Sequence, residues 1–273
     1  MGNLQSFERL SLNQATTKKW TLPEAVEGCV RAEIPWIGLW RDKIAEIGLK
    51  ESSKLIRDAG LQVSGIIKGG LFPSSTSNEW QKIIDENKRA IEESAELGTK
   101  ALVMVGGGLP SKDVDYARKQ FEEGIAEILP FAKSYGVKLG IEPLHPMFAA
   151  DRSVIVSLSQ ANKIAKAYQP DEVGVIIDVY HVWWDPDLFN QIAIAGEHIL
   201  GFHVSDWIVP MPDMLNGRGM MGDGIIEIGR IRRAAETAGY TGPIEVEIFN
   251  QKIWDQPGDE VLEVIKERYL EHV

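Results

Sequence analysis

Short runs dominated by Val, Ile and Leu alternate along this chain with longer stretches in which apolar residues recur at helical spacing. "RLSLNQ" opens the series. It is followed by "TLPEAVEGCVRAEI", where Thr21 is placed to cap a helix and Pro23 to sit in its first turn. "WIGLW" precedes "KIAEIGLKESSKLIRDAG", read as one helical stretch closed by Gly60. "LQVSGIIKG", "KALVMVGGG", "VKLGIEP", "VGVIIDV", "HILGFHVSD" and "PIEVEIF" read as the remaining strands. Behind them lie "SNEWQKIIDENKRAIEESAELG", "KDVDYARKQFEEGIAEILPFAKSYG", "DRSVIVSLSQANKIAKAY", "DPDLFNQIAIAG", "IEIGRIRRAAETAG" and "DEVLEVIKERYLEHV".

That makes eight strand–helix units. Strands alternating with helices imply parallel βαβ connections, and near-continuous apolar strands imply burial on both faces. Eight units in roughly 250 residues match an α/β fold of the (β/α)8 TIM-barrel type. A single domain over residues 1–273 is expected. The alternative is an open, doubly wound sheet, which a glycine-rich turn after the first strand would favour; "LSLNQATT" has none. "GGG" at 106–108 lacks dinucleotide-binding spacing and reads as a tight turn.

The composition, 44% hydrophobic and 25% charged, is that of an ordinary globular protein. No apolar run approaches the roughly 18 residues of a membrane span, and the first residues lack a secretory pattern. With a single cysteine, Cys29, no internal disulfide can form, which fits a reducing cytoplasm. The formal charge of −11 argues against a nucleic-acid or anionic-membrane partner.

Chemistry is concentrated at the ends of the last four strands. "GIEP" ends in Glu142, "IIDV" in Asp178, "GFHVSD" carries His203, and "IEVEIF" carries Glu245 and Glu247. Successive barrel strands are neighbours and barrel active sites lie at strand C-termini, so these side chains are expected to converge. A carboxylate ending a buried strand is costly unless paired or bound to a cation. Three carboxylates and an imidazole favour one divalent ion, Mn²⁺ first, with Mg²⁺, Co²⁺ or Zn²⁺ compatible. Glu245 and Glu247 share a face of their strand; Glu247 is the expected ligand because it lies nearer the C-terminal end.

The motifs "GIEP", "DVYH", "FHVSD", "RGMMGDG" and "YTGPIEVEIF", in this order, resemble those of the xylose-isomerase-like superfamily of sugar isomerases and epimerases. The resemblance runs over nearly the whole chain. It implies a TIM barrel with one divalent metal on Glu142, Asp178, His203 and Glu247, and proton transfer by Glu142 and Glu247. It also implies contact with substrate oxygen by His181 and, from the long loop after the seventh strand, by Arg218. One departure stands out. Where the epimerases carry a further acidic residue after the first metal glutamate, this chain reads "EPLHP", which offers His145 as an extra acid or base.

Trp183 and Trp184 have two open readings, a plug between barrel and helix or an apolar platform for a sugar. Trp40 and Trp207 could extend that wall, and Lys68 could reach a substrate oxygen. His198 and His272 are expected to be structural or surface residues, while Asp206 and Asp223 stay unassigned near the site. The loop over 211–224 is long enough for a lid or for a surface that meets a partner subunit or second copy. The expected activity is proton abstraction beside a carbonyl through an enediolate in a small-molecule sugar or keto-sugar, hence isomerisation or epimerisation. The alternative is a lyase that cleaves a 3-keto-glycoside or dehydrates a keto-sugar by β-elimination. A nuclease resembling endonuclease IV is disfavoured by the charge and the five histidines, two of them remote. A non-catalytic sugar-binding subunit is the remaining rival.

Overall fold

The computed structural model describes residues 4–99 and 101–273. Among these, eight strands close into a barrel: β1 (Leu10–Asn13), β2 (Trp36–Trp40), β3 (Gln62–Gly70), β4 (Ala101–Val105), β5 (Lys138–Glu142), β6 (Val173–Asp178), β7 (Ile199–Val204) and β8 (Ile244–Val246). The fourth strand was expected from Lys100, which lies outside the described residues. All neighbours run parallel, and β8 returns to β1 with Leu10 opposite Ile244. Closure rules out the open sheet, whose edge strands would each lack a partner.

The apolar strands serve two cores. Ile67, Val103 and Ile176 meet inside the bore, with Trp40 and Leu200 against them. The opposite faces carry the helices; Leu10, Leu12, Ile37 and Ile66 belong to that larger layer. In β6 all six residues are buried, as burial on both faces requires.

Most helices begin where local capping chemistry permits. Thr21 and Glu24 form a reciprocal capping box before the helix Leu22–Ala32. The stretch read as one helix after β2 is two, Arg41–Ile47 and Leu49–Asp58. Gly48 separates them at φ 86°, a left-handed conformation that breaks the hydrogen-bond ladder. Gly60 follows the second helix at φ 71°, as expected for its terminator. After β5 the helix is confined to Leu158–Ala165, because the Ser157 side chain caps the main-chain N–H of Gln160. A short helical turn, Val179–Val182, follows β6 before the longer helix Leu188–Ala195. Gly107 takes φ 78° in the turn after β4. Among the described residues no helix is long and apolar enough to cross a membrane.

The loop after β7 is anchored at both ends. Asp206–Trp207 pairs antiparallel with Arg218–Gly219. The Asp206 carboxylate accepts main-chain N–H groups of Trp207, Gly222 and Ile226 at 2.8–3.0 Å. Asp206 is thus an organiser of the loop. Residues 212–216, including Met214 and Leu215, are exposed at the tip, whereas Arg218 sits at the anchored base.

Candidate metal centre

Strands β5 to β8 are successive in the barrel, and each brings one side chain to the same point. Ligand atoms of Glu142, Asp178, His203 and Glu247 all lie within 4.8 Å of one another, and all four residues are buried. The register explains it: Asp178 lies opposite His203, which lies opposite Glu245, so all three face the bore. Glu247, two residues beyond Glu245, points the same way one layer higher.

The electrostatics call for a cation. Glu142, Asp178, Glu245 and Glu247 place four carboxylates in one region, each at most 5% exposed. They face Arg218 and His203. Arg218 Nη1 donates to Asp178 Oδ2 at 2.9 Å and to Glu247 Oε2 at 3.1 Å. Its guanidinium is held between the rings of Tyr180 and Phe249, 4.6 and 4.9 Å from their centroids. Burial raises the pKa of Asp178 and of Glu247 above the usual carboxylate range, with Arg218 opposing. For His203, burial acts downward but Glu245, Glu142 and Glu247 outweigh it and hold the imidazole near a pKa of about 10. The four carboxylates outnumber the cations Arg218 and His203, an excess of buried negative charge that a divalent ion would offset. Ligands on opposite sides of an ion at about 2.1 Å lie about 4.2 Å apart, so the observed span fits after a small contraction.

The surrounding groups divide by role. Asp178 Oδ1 caps the helical turn after β6 by accepting from Tyr180 N–H at 2.9 Å, which places His181 on the site. His181 Nδ1 accepts the main-chain N–H of His145 at 3.1 Å, and Arg218 Nη2 lies 3.0 Å from Nε2. Burial, with Arg218 adding repulsion, holds the pKa of His181 well below its ordinary value, so the ring is neutral. A neutral imidazole offers one lone pair, yet both nitrogens face donors. His145 is half-buried; burial lowers its pKa, and its Nδ1 accepts from Met147 N–H at 3.2 Å. Its proton is thereby assigned to Nε2.

His145 stands in an aromatic wall with Trp207 and Trp184, at 4.9 and 5.7 Å between ring centroids. Trp184 is further tied to the carbonyl of His181 by its indole N–H at 2.8 Å. Trp183 packs on the core and on Trp207 at 5.3 Å, closer to the plug reading. Lys68 is not brought to the cluster. The pairing of β3 with β4 shifts register between Ile67 and Gly69, and Lys68 is exposed in a separate cleft with Arg41, Lys82 and Glu86. His198 contacts Lys166 and the Tyr168 carbonyl, a structural role as expected. His272 is more than a tail residue, since it packs against Gly222 of the anchored loop. Asp223 approaches Arg268 at 3.6 Å. Sequence reasoning passed over Asn13 and Ser64, which no local motif marks, and over Tyr180, which lies inside "DVYH" but was given no role there.

The chain belongs to the xylose isomerase-like TIM barrel family, whose model matches residues 25–268. An inosose isomerase of Bacillus velezensis is 23% identical over 270 residues, covering 95% of both chains. The crystal structure of protein SMc04130 from Sinorhizobium meliloti 1021 superposes with a TM-score of 0.95 at 49% identity, over 98% of this chain and 99% of that one. The IOLI protein with a bound zinc atom superposes at 0.84 and 20% identity, over 97% and 98%.

Proposed function

We propose that the protein is a divalent-metal-dependent sugar isomerase or epimerase that moves a proton on the carbon beside a carbonyl. The observation that carries this reading is the buried cluster of Glu142, Asp178, His203 and Glu247 at four successive strand ends. The inosose isomerase relative and the zinc atom bound in the IOLI protein support it. When bound, a divalent ion, with Mn²⁺ preferred, supplies Lewis-acid polarisation of the substrate carbonyl.

The chain's own groups do the rest. Glu142 and Glu247 come from strands on either side of β6 and β7, so their carboxylates flank the centre. Two flanking bases suit removal of a proton by one and its return by the other. His181 and Arg218 present N–H groups to each other across 3.0 Å. A substrate oxygen beside both could accept from Arg218 Nη2 and from His181 Nε2. His145, with its proton on Nε2, acts as a donor rather than as a base. Trp184 and Trp207 provide the apolar platform for the sugar face.

The test is incubation of the Mn²⁺-loaded protein with free and phosphorylated keto-sugars and 3-keto-glycosides in heavy water. Deuterium entering at carbon without release of any group is expected. Aglycone release from a 3-keto-glycoside would replace this reading by β-elimination, with the His145 donor serving the leaving group. Absence of both exchange and elimination would refute proton abstraction altogether.

A further inference from the structure

One layer below the four-ligand cluster lies a second set of buried polar groups that the chemistry above does not use. Glu245 points into the bore from β8 and is 2% exposed. Its Oε1 accepts from Asn13 Nδ2 at 2.5 Å, and its Oε2 accepts from the Ser64 hydroxyl. Asn13 Nδ2 also reaches Glu247 Oε1 at 3.2 Å. The amide is fixed from its other side, where Asn13 Oδ1 accepts from Ala15 N–H and the Trp40 indole. One side-chain amide therefore joins a carboxylate of the lower layer to a ligand of the upper one. Strand β2 reserves the space, because a Cβ on Gly38 would stand 2.1 Å from Glu245 Oε1.

His203 spans the two layers. Its Nδ1 lies 3.1 Å from Glu142 Oε1 and 3.9 Å from Glu247 Oε2. Its Nε2 faces down, 4.0 Å from Glu245 Oε1. A normal N–H···O bond is about 2.9 Å long, so a ring shift of about 1 Å completes the contact. The void in the bore beside Glu245, about 10 Å³ and lined by Ser64, Val103, Ile176, Leu200 and His203 among others, is on the scale of one water. It is too small to bring substrate to Glu245. A fourth buried carboxylate beside three others opposes folding, and an apolar side chain there would cost less.

We infer that Glu245 is a positioning residue: it receives the Nε2–H of His203, which turns the Nδ1 lone pair to the centre, and through Asn13 it sets Glu247 at the same centre. The inference rests on the divalent-metal reading. A carboxylate on the far nitrogen of a ligating histidine fixes its tautomer and raises its basicity, and its loss typically weakens metal binding 10–100-fold.

The test uses metal binding and spectroscopy, not turnover. In ¹⁵N-histidine-labelled, Zn²⁺-loaded wild type, His203 should coordinate through Nδ1 and carry its proton on Nε2. Glu245→Gln keeps an acceptor but loses the charge; Mn²⁺ affinity should fall about 10-fold. Glu245→Leu keeps neither, and affinity should fall about 100-fold with an altered Co²⁺ absorption spectrum, circular dichroism remaining native. Coordination of His203 through Nε2, or wild-type Mn²⁺ affinity in Glu245→Leu, overturns the assignment. If Glu245→Leu does not fold, unchanged affinity in Glu245→Gln overturns it instead. Wild type that binds no divalent ion overturns the metal reading itself; wild type that binds while the variants bind equally overturns only the role of Glu245.

Discussion

The main-chain N–H of His145 lies 3.1 Å from Nδ1 of His181. The loop after β5 thereby sets the tautomer of a histidine that follows β6, and it does so without the His145 side chain. His145→Ala should leave His181 and the metal content unchanged. We expect kcat to fall about 10²-fold through loss of the Nε2–H donor. A change in KM alone would reduce the imidazole to a binding group.

Metal removal comes next. EDTA should abolish activity, and Mn²⁺, Co²⁺ or Mg²⁺ should restore it. In Asp178→Asn the amide oxygen can still cap Tyr180 N–H, so the barrel should fold while metal affinity is lost. Elemental analysis with circular dichroism checks both. Full activity in metal-free protein would be incompatible with the proposed function.

Arg218 donates to two ligands of the cluster, so its removal exposes two buried carboxylates to each other. Breaking a buried ion pair from one side typically costs about 3–5 kcal/mol. Arg218→Met should be destabilised by this order in metal-free protein and by less with Mn²⁺ bound. Urea unfolding with and without Mn²⁺ measures the difference; an equal loss in both would contradict it.

In the metal-free protein the His203 pKa is raised from 6.5 to about 10. A raised folded-state pKa means that the protonated form stabilises the fold fully below pH 6.5, and that this contribution is lost as pH rises to about 10. The stability gap between wild type and His203→Gln should therefore close across that window. Metal affinity should rise over the same window, because a ligating imidazole must lose this proton. Calorimetric unfolding and Mn²⁺ titration at several pH values test the two trends.

Cys29 lies on the buried face of the helix Leu22–Ala32, and burial pushes its thiol pKa up to about 12. Only the thiolate reacts readily. Thiol reagents should leave the native protein unmodified and label one site on unfolding; fast labelling of native protein would contradict the placement.

The alternation of strand and helix was legible because helical period, apolar runs and caps such as Thr21 with Glu24 are short-range regularities of one chain segment. The clustering of four side chains was legible because in a barrel every strand end maps to one face, so Glu142, Asp178, His203 and Glu247 could be placed together by position alone. The tertiary structure decided what depends on pairing between distant segments. Lys68 is exposed at the point where β3 and β4 change register. Arg218 meets Asp178 from 40 residues away, and Asn13 meets Glu245 from 232. Such contacts leave no local pattern, since closing the barrel, and not any segment's own preference, brings those side chains into one buried space.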